Sequence, residues 1–310
     1  MLYHKRAALW DAYFSALGIE TVVSPQTNRA MIENGCGASV DETCLSVKVA
    51  MGHVAWLTKR SDAVRCPRYV SVRKGELECS KLWGIYDIAR NSVPEANIIG
   101  YSVDASKETH KRTTEAGELY RLALRLGASP ATAMMATLKG LRAQRAHHSA
   151  HVREQQALLR TPASAPRVLV AGHPYNLYDA SIGEPIIKEL RAQGCEVLDS
   201  EGVDHALATK LAKEISPTLY WTTSRQLLGA VEHLRDQVDG IVFLVTFPCG
   251  PDSLVTELAV RKFKDTPIVT LIIDEHASET GLRTRLESFV DILRMRRGDS
   301  VAGSDTGAVA

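Results

Sequence analysis

Two periodicities alternate along this chain, and their order outlines its architecture. Ala7, Leu9, Trp10, Tyr13, Phe14 and Leu17 recur at helical spacing, so residues 5–18 read as a helix closed by Gly18. "ETVVSP" (20–25) then reads as a short buried strand stopped by Pro25. A helix begins near Asn28, with Gly35 and Gly37 expected to break it. The stretch "CLSVKVAMGHVAWLTKR" (44–60) returns to helical spacing through Cys44, Val47, Met51, Val54 and Ala55. "AVRCPRYVSV" is β-branched and aromatic, hence a strand, and Pro67 within it points to an edge or a bulge. "KLWGIYDIARN" reads as helix and "ANIIGYSVD" as strand. Such alternation implies parallel strands joined by helical crossovers.

From about residue 110 to 160 the pattern is helical only, and one long helix opens on Ser129 as N-cap with Pro130 after it. "TPASAP" (161–166) is a linker. A second α/β series follows: strands "RVLVAG", "CEVLDS", "GIVFLVTF" and "IVTLIID", with helices between them and after the last. The expected division is a first α/β domain over 1–105, a helical segment and linker over 106–165, a second α/β domain over 166–297, and a disordered tail over 298–310. No short repeat is visible, and the two halves read as similar open sheets.

Composition narrows the function classes. The chain has 310 residues, enough for two domains, with 45% hydrophobic and 24% charged residues and a net charge of +1. That balance gives no electrostatic case for nucleic acid or for a membrane surface. No apolar run approaches a membrane span, and Asp11 interrupts what would be a signal-peptide core, so a cytoplasmic location is expected. Six cysteines (36, 44, 66, 79, 195 and 249) are too scattered for a disulfide framework, and no CxxC pair marks a zinc ribbon or a ferredoxin-type cluster.

Ligands of open parallel sheets bind beyond the carboxyl ends of the strands, in the turns leading into helices. Cys249 in "TFPCGPDSLVTEL" holds that position, with Asp252 or Ser253 capping the next helix. Cys44 and Cys79 also precede or begin helices. There the helix dipole and free backbone N–H groups favour a thiolate, the form that binds metal or attacks carbon. The alternative is burial as small hydrophobes, the reading preferred for Cys66 and Cys195 within strands; Cys36 fits either. His173, Tyr175 and Asn176 in "GHPYNLYD" can donate to a ligand or form an ordinary turn. His276 and Glu279 in "DEHASETG" can form an acid–base pair or an exposed helix cap. His147 and His151 read as a solvated face, and Lys48 and His53 as charges near Cys44.

The segments "VDETCLSVKVAMGHVAWL", "CPRYVSVRKGELECSKLWGIYDIARNSVP", "VLVAGHPYNLYDASIGEPIIKEL" and "DGIVFLVTFPCGPDSLVTEL" resemble the acyl-CoA dehydratase activase-related proteins. These are relatives of the 2-hydroxyglutaryl-CoA dehydratase and benzoyl-CoA reductase subunits. The likeness spans roughly residues 8–105 and 167–294. It implies two Rossmann-like domains with parallel sheets and a cleft between them. A [4Fe–4S] cluster would sit there on Cys44, Cys79 and Cys249, leaving one iron for a substrate oxygen or water. The resemblance further implies an electron from an ATP-hydrolysing activase, used on an acyl-CoA thioester to form a ketyl radical. No P-loop or GxGxxG turn occurs, so that partner would supply the ATP chemistry. Dimerisation, with itself or with another subunit, is compatible with this reading. An opening strand seen in the family is missing here, so either the start is truncated or the first sheet lacks a strand. Two other readings stand beside it: a non-catalytic iron–sulfur relay or assembly subunit, and a metal-free enzyme with Cys249 as nucleophile.

Overall fold

A computed structural model of the chain describes residues 1–106 and 113–298, the Glu279 side chain excepted. The first half runs α1 (Tyr3–Leu17), α2 (Arg29–Gly37), α3 (Leu45–Thr58), β1 (Val64–Ser71), α4 (Ser80–Ser92), β2 (Ile98–Asp104), α5 (Glu115–Arg125) and α6 (Pro130–Arg160). The second runs β3 (Arg167–Ala171), α7 (Pro174–Leu177), α8 (Gly183–Ala192), β4 (Glu196–Asp199), α9 (His205–Ile215), α10 (Thr222–Leu234), β5 (Gly240–Thr246), α11 (Gly250–Lys262), β6 (Ile268–Ile273) and α12 (Glu279–Arg297). Local signals set several ends. Gly18 closes α1 at φ +70°, and the Asn28 and Ser129 side chains accept from Met31 N–H and Thr132 N–H at the starts of α2 and α6.

The fold is mixed α/β, and every strand pairing is parallel. Four strands form a sheet in the order β4-β3-β5-β6. β3 and β5 are central and buried along their whole length, as expected of continuous apolar runs covered on both faces. One face packs against α8, α12 and the start of α3, the other against α9, α10 and α11. β1 and β2 form a separate two-stranded sheet. Its aromatic face, with Tyr69 and Tyr101, meets α1, α5 and α6, and its other face, with Val64 and Cys66, meets α3 and α4.

α3 serves both sheets. Leu45 and Val49 enter the core of the four-stranded sheet, whereas Val47, Ala50, Met51 and Val54 enter that of the two-stranded one. A helix apolar on nearly every side is a buried helix. Its buried lysine, Lys48, is neutralised by Glu275 at 2.6 Å.

Two expectations need correction. "ETVVSP" is no strand: residues 20–25 have no ladder partner, and Val22 and Val23 are 45% and 48% exposed. Without that strand the two halves are not similar open sheets, since the first has only two strands. Gly35 does not break α2 but packs directly on the Lys48 carbonyl of α3, whereas the helix does end at Gly37. Of the tail expected over 298–310, all but Gly298 lies outside the described residues. No helix among the described residues is long and apolar enough to cross a membrane.

Candidate thiol site at the strand ends

β3 and β5 are neighbours whose following helices lead to strands on opposite sides, to β4 and β6 respectively. Such a switch point leaves a crevice at the carboxyl ends. β3 exits through Gly172 and His173 into α7, and β5 exits through Thr246–Cys249 into α11. Cys249 is the N-cap residue of α11, and its N–H donates to Thr246 O at 2.9 Å.

Cys44 is the N-cap residue of α3. The next amide, Leu45 N–H, donates to Phe247 O at 3.0 Å, which ties that helix entrance to the β5 exit loop. Ser46 Oγ donates to Asn176 Oδ1 at 2.7 Å and lies 2.9 Å from Thr246 Oγ1, joining α3, α7 and β5 at one buried point. Cys79 is the N-cap residue of α4. The residues before it are pinned on both sides. Glu78 N–H donates to Val70 O, Leu77 N–H to Tyr220 O, and the Glu78 carboxylate accepts from Thr223 Oγ at 2.7 Å.

Three half-buried free thiols therefore enter from three helix N-termini. They also share an electrostatic neighbourhood. The Cys44 sulfur helps raise both Cys79 and Cys249. Burial raises the Tyr175 phenol well above its ordinary value, and Asp252 together with all three thiols adds to the rise.

The thiolate expectation needs correction. Burial pushes Cys44 up and Cys79 to about 11, while the Val47, Leu82 and Lys81 N–H groups pull down only in part. Burial and then the Asp252 carboxylate push Cys249 furthest. Loss of water outweighs the helix entrances, so the resting sulfurs are thiols. Burial and Asp252 thus oppose the lowered pKa that Cys249 would need as a free nucleophile. A metal would bind by displacing the protons.

Polar groups around the sulfurs are unusually incomplete. His173 Nδ1 and Asn176 Nδ2 are buried and have no hydrogen-bond partner, although Asn176 is 0% exposed. His173 Nε2 forms an ion pair with Asp252. Burial opposes charge on that ring, but Asp252 prevails and holds it above the ordinary imidazole value. Buried donors without acceptors are costly, so this crevice suits an anionic group rich in acceptors. The bridging and terminal sulfurs of a [4Fe–4S] cluster meet that description. Among the described residues no three His, Cys, Asp or Glu side chains are arranged to hold one metal ion. A cluster makes a different demand on spacing, since each thiolate takes its own iron. A cleft of about 1280 Å³ opens beside Tyr175 and Ser46 and extends along α1 and α3 past His53 to Arg65.

The remaining candidates lie elsewhere. His276 is exposed, and among the described residues its one hydrogen bond is from its backbone N–H to Asp274 Oδ1. The Glu279 side chain is outside the described residues. Cys36 neighbours Lys48 and Glu275 rather than the three thiols. Cys66 donates weakly to Ile85 O inside a core, and Cys195 packs beneath the four-stranded sheet. His147 is exposed, and His151 Nε2 pairs with Asp199 at 3.0 Å. His53 lies between Ser24 Oγ and Thr27 Oγ1. From the sequence alone Asp252 is expected only as a helix cap. Its position three residues after a cysteine N-cap was the available signal.

A search among curated proteins returns no match. The family model that does match takes in Cys44, Cys79, His173 and Asn176 and stops short of Cys249 and Asp252. By that match, over residues 1–203, the chain belongs to the family described as the CoA enzyme activase uncharacterised domain (DUF2229).

Proposed function

We propose that this chain is an iron–sulfur protein of the 2-hydroxyacyl-CoA dehydratase class, with Cys44, Cys79 and Cys249 as ligands of a [4Fe–4S] cluster. What supports the reading is that all three thiols bear electrostatically on Tyr175, beside buried donors that have no acceptor. Family membership supports the link to acyl-CoA dehydratase systems. When bound, the cluster supplies one-electron chemistry that amino-acid side chains do not.

The chain's own residues supply the setting. Asn176, fixed by Ser46 through its oxygen, keeps its amide N–H groups free to donate to sulfur. His173, whose protonated form Asp252 favours, has a second ring nitrogen that is buried without a partner and would offset negative charge there. The cleft that reaches Tyr175 and Ser46 is large enough to receive an acyl thioester, although the three cysteines do not line it. An ATP-hydrolysing activase would deliver the electron, as the resemblance to this class implies.

The test is anaerobic production of the full chain, followed by visible absorption and calorimetry with a panel of acyl-CoA thioesters. Brown protein that binds an acyl-CoA is the expected result. Brown protein that binds none points instead to an electron-relay subunit. Colourless, iron-free protein with intact thiols would refute both.

A further inference from the structure

Asp252 is 2% exposed, and neither carboxylate oxygen accepts a hydrogen bond of sound geometry; its close charged partner is His173. The usual role of an acid at the third position of a helix is to reach back to the N-cap N–H. That role is closed here, because the Cys249 N–H already donates to Thr246 O. Favourable interaction with the helix dipole is smaller than the cost of removing a carboxylate from water. His173 offsets part of the charge, and the Cys249 thiol beside the carboxylate is a weak donor that leaves lone-pair capacity for a stronger partner once its proton is displaced. The carboxylate is shut off from solvent and weakly hydrogen-bonds the Cys249 side chain, which places it beside that sulfur.

We infer that Asp252 is an oxygen ligand for the iron to which the three cysteines offer no sulfur, with His173 holding the carboxylate in place. This rests on the cluster reading above and adds to it a fourth protein ligand. Carboxylate is a harder and weaker partner for iron–sulfur centres than thiolate, so that position stays exchangeable for a substrate oxygen. His173 is then a positioning residue. It orients the carboxylate as neighbouring groups orient ligands at other metal sites.

The experiment is Mössbauer spectroscopy of the full chain reconstituted anaerobically with enriched iron and sulfide, as wild type, Asp252→Asn and Asp252→Cys. Circular dichroism of the metal-free forms reports folding. Wild type is expected to show one iron distinct from the other three, with the parameters of oxygen ligation. Asp252→Cys is expected to make all four alike, and Asp252→Asn to alter or lose the distinct iron while the thiolate-bound irons persist. If the distinct iron is identical in wild type and both folded variants, the assignment of Asp252 is overturned and the cluster reading stands. If wild type takes up no iron at these cysteines, the cluster reading fails and this inference fails with it.

Discussion

The metal-free protein should be nearly inert at Cys79 toward alkylation at mildly alkaline pH. Burial, only partly offset by the Leu82 and Lys81 N–H groups, pushes this thiol to about 11. At pH 8 a thiol of that pKa is about 0.1% thiolate, against about a quarter of a free cysteine. Alkylation by iodoacetamide should therefore run about 200-fold slower than in the urea-unfolded chain, before any steric hindrance is counted. The assay is residue-resolved mass spectrometry over a time course, with iron removed and reductant present. Labelling of folded Cys79 at the unfolded rate would refute the argument that burial outweighs the helix entrance. The same rise has a thermodynamic face. Folding favours the protonated thiol, so this contribution is complete below the ordinary thiol pKa and is lost as pH climbs toward about 11. Its size is about 3 kcal/mol.

Other consequences concern the scaffold. A Cβ at Gly52 would lie 2.0 Å from Met31 O, so Gly52→Ala should force α2 and α3 apart and cost about 3 kcal/mol in urea unfolding. Glu275→Gln should cost about 3 kcal/mol by leaving Lys48 buried and unpaired, and the urea midpoint should recover when Lys48→Met is added. Burial pushes His53 and His148 down to about 4, so the folded state resists their protonation. Their contribution is present above the ordinary imidazole value and is lost as pH falls from there toward about 4. The urea midpoint should drop over that window, and a pH-independent midpoint would count against it.

The element order was legible because apolar periodicity and capping residues agreed. Asn28, Ser129 and Gly18 each end or begin a helix by the chemistry their types imply. The helix-entrance positions of Cys44, Cys79 and Cys249 were legible for the same reason, since each cysteine precedes a helical pattern. What local pattern does not carry is burial and partnership. "ETVVSP" has the composition of a strand, yet a strand exists only with a neighbour to pair with, and none lies beside it. The ionisation of the thiols depends on how much water the folded crevice excludes, which the flanking residues do not specify. Asp252 reads as an ordinary helix-start acid until the structure assigns the N-cap amide to Thr246.

The most direct test of the account is iron counted per chain after anaerobic reconstitution, in wild type and in six single cysteine-to-serine variants. About four irons are expected in wild type and in the variants at Cys36, Cys66 and Cys195. A marked loss is expected at Cys44, Cys79 and Cys249. Iron that survives substitution of any of those three, or that depends on the other cysteines, would contradict the claim that these helix-entrance thiols form one site.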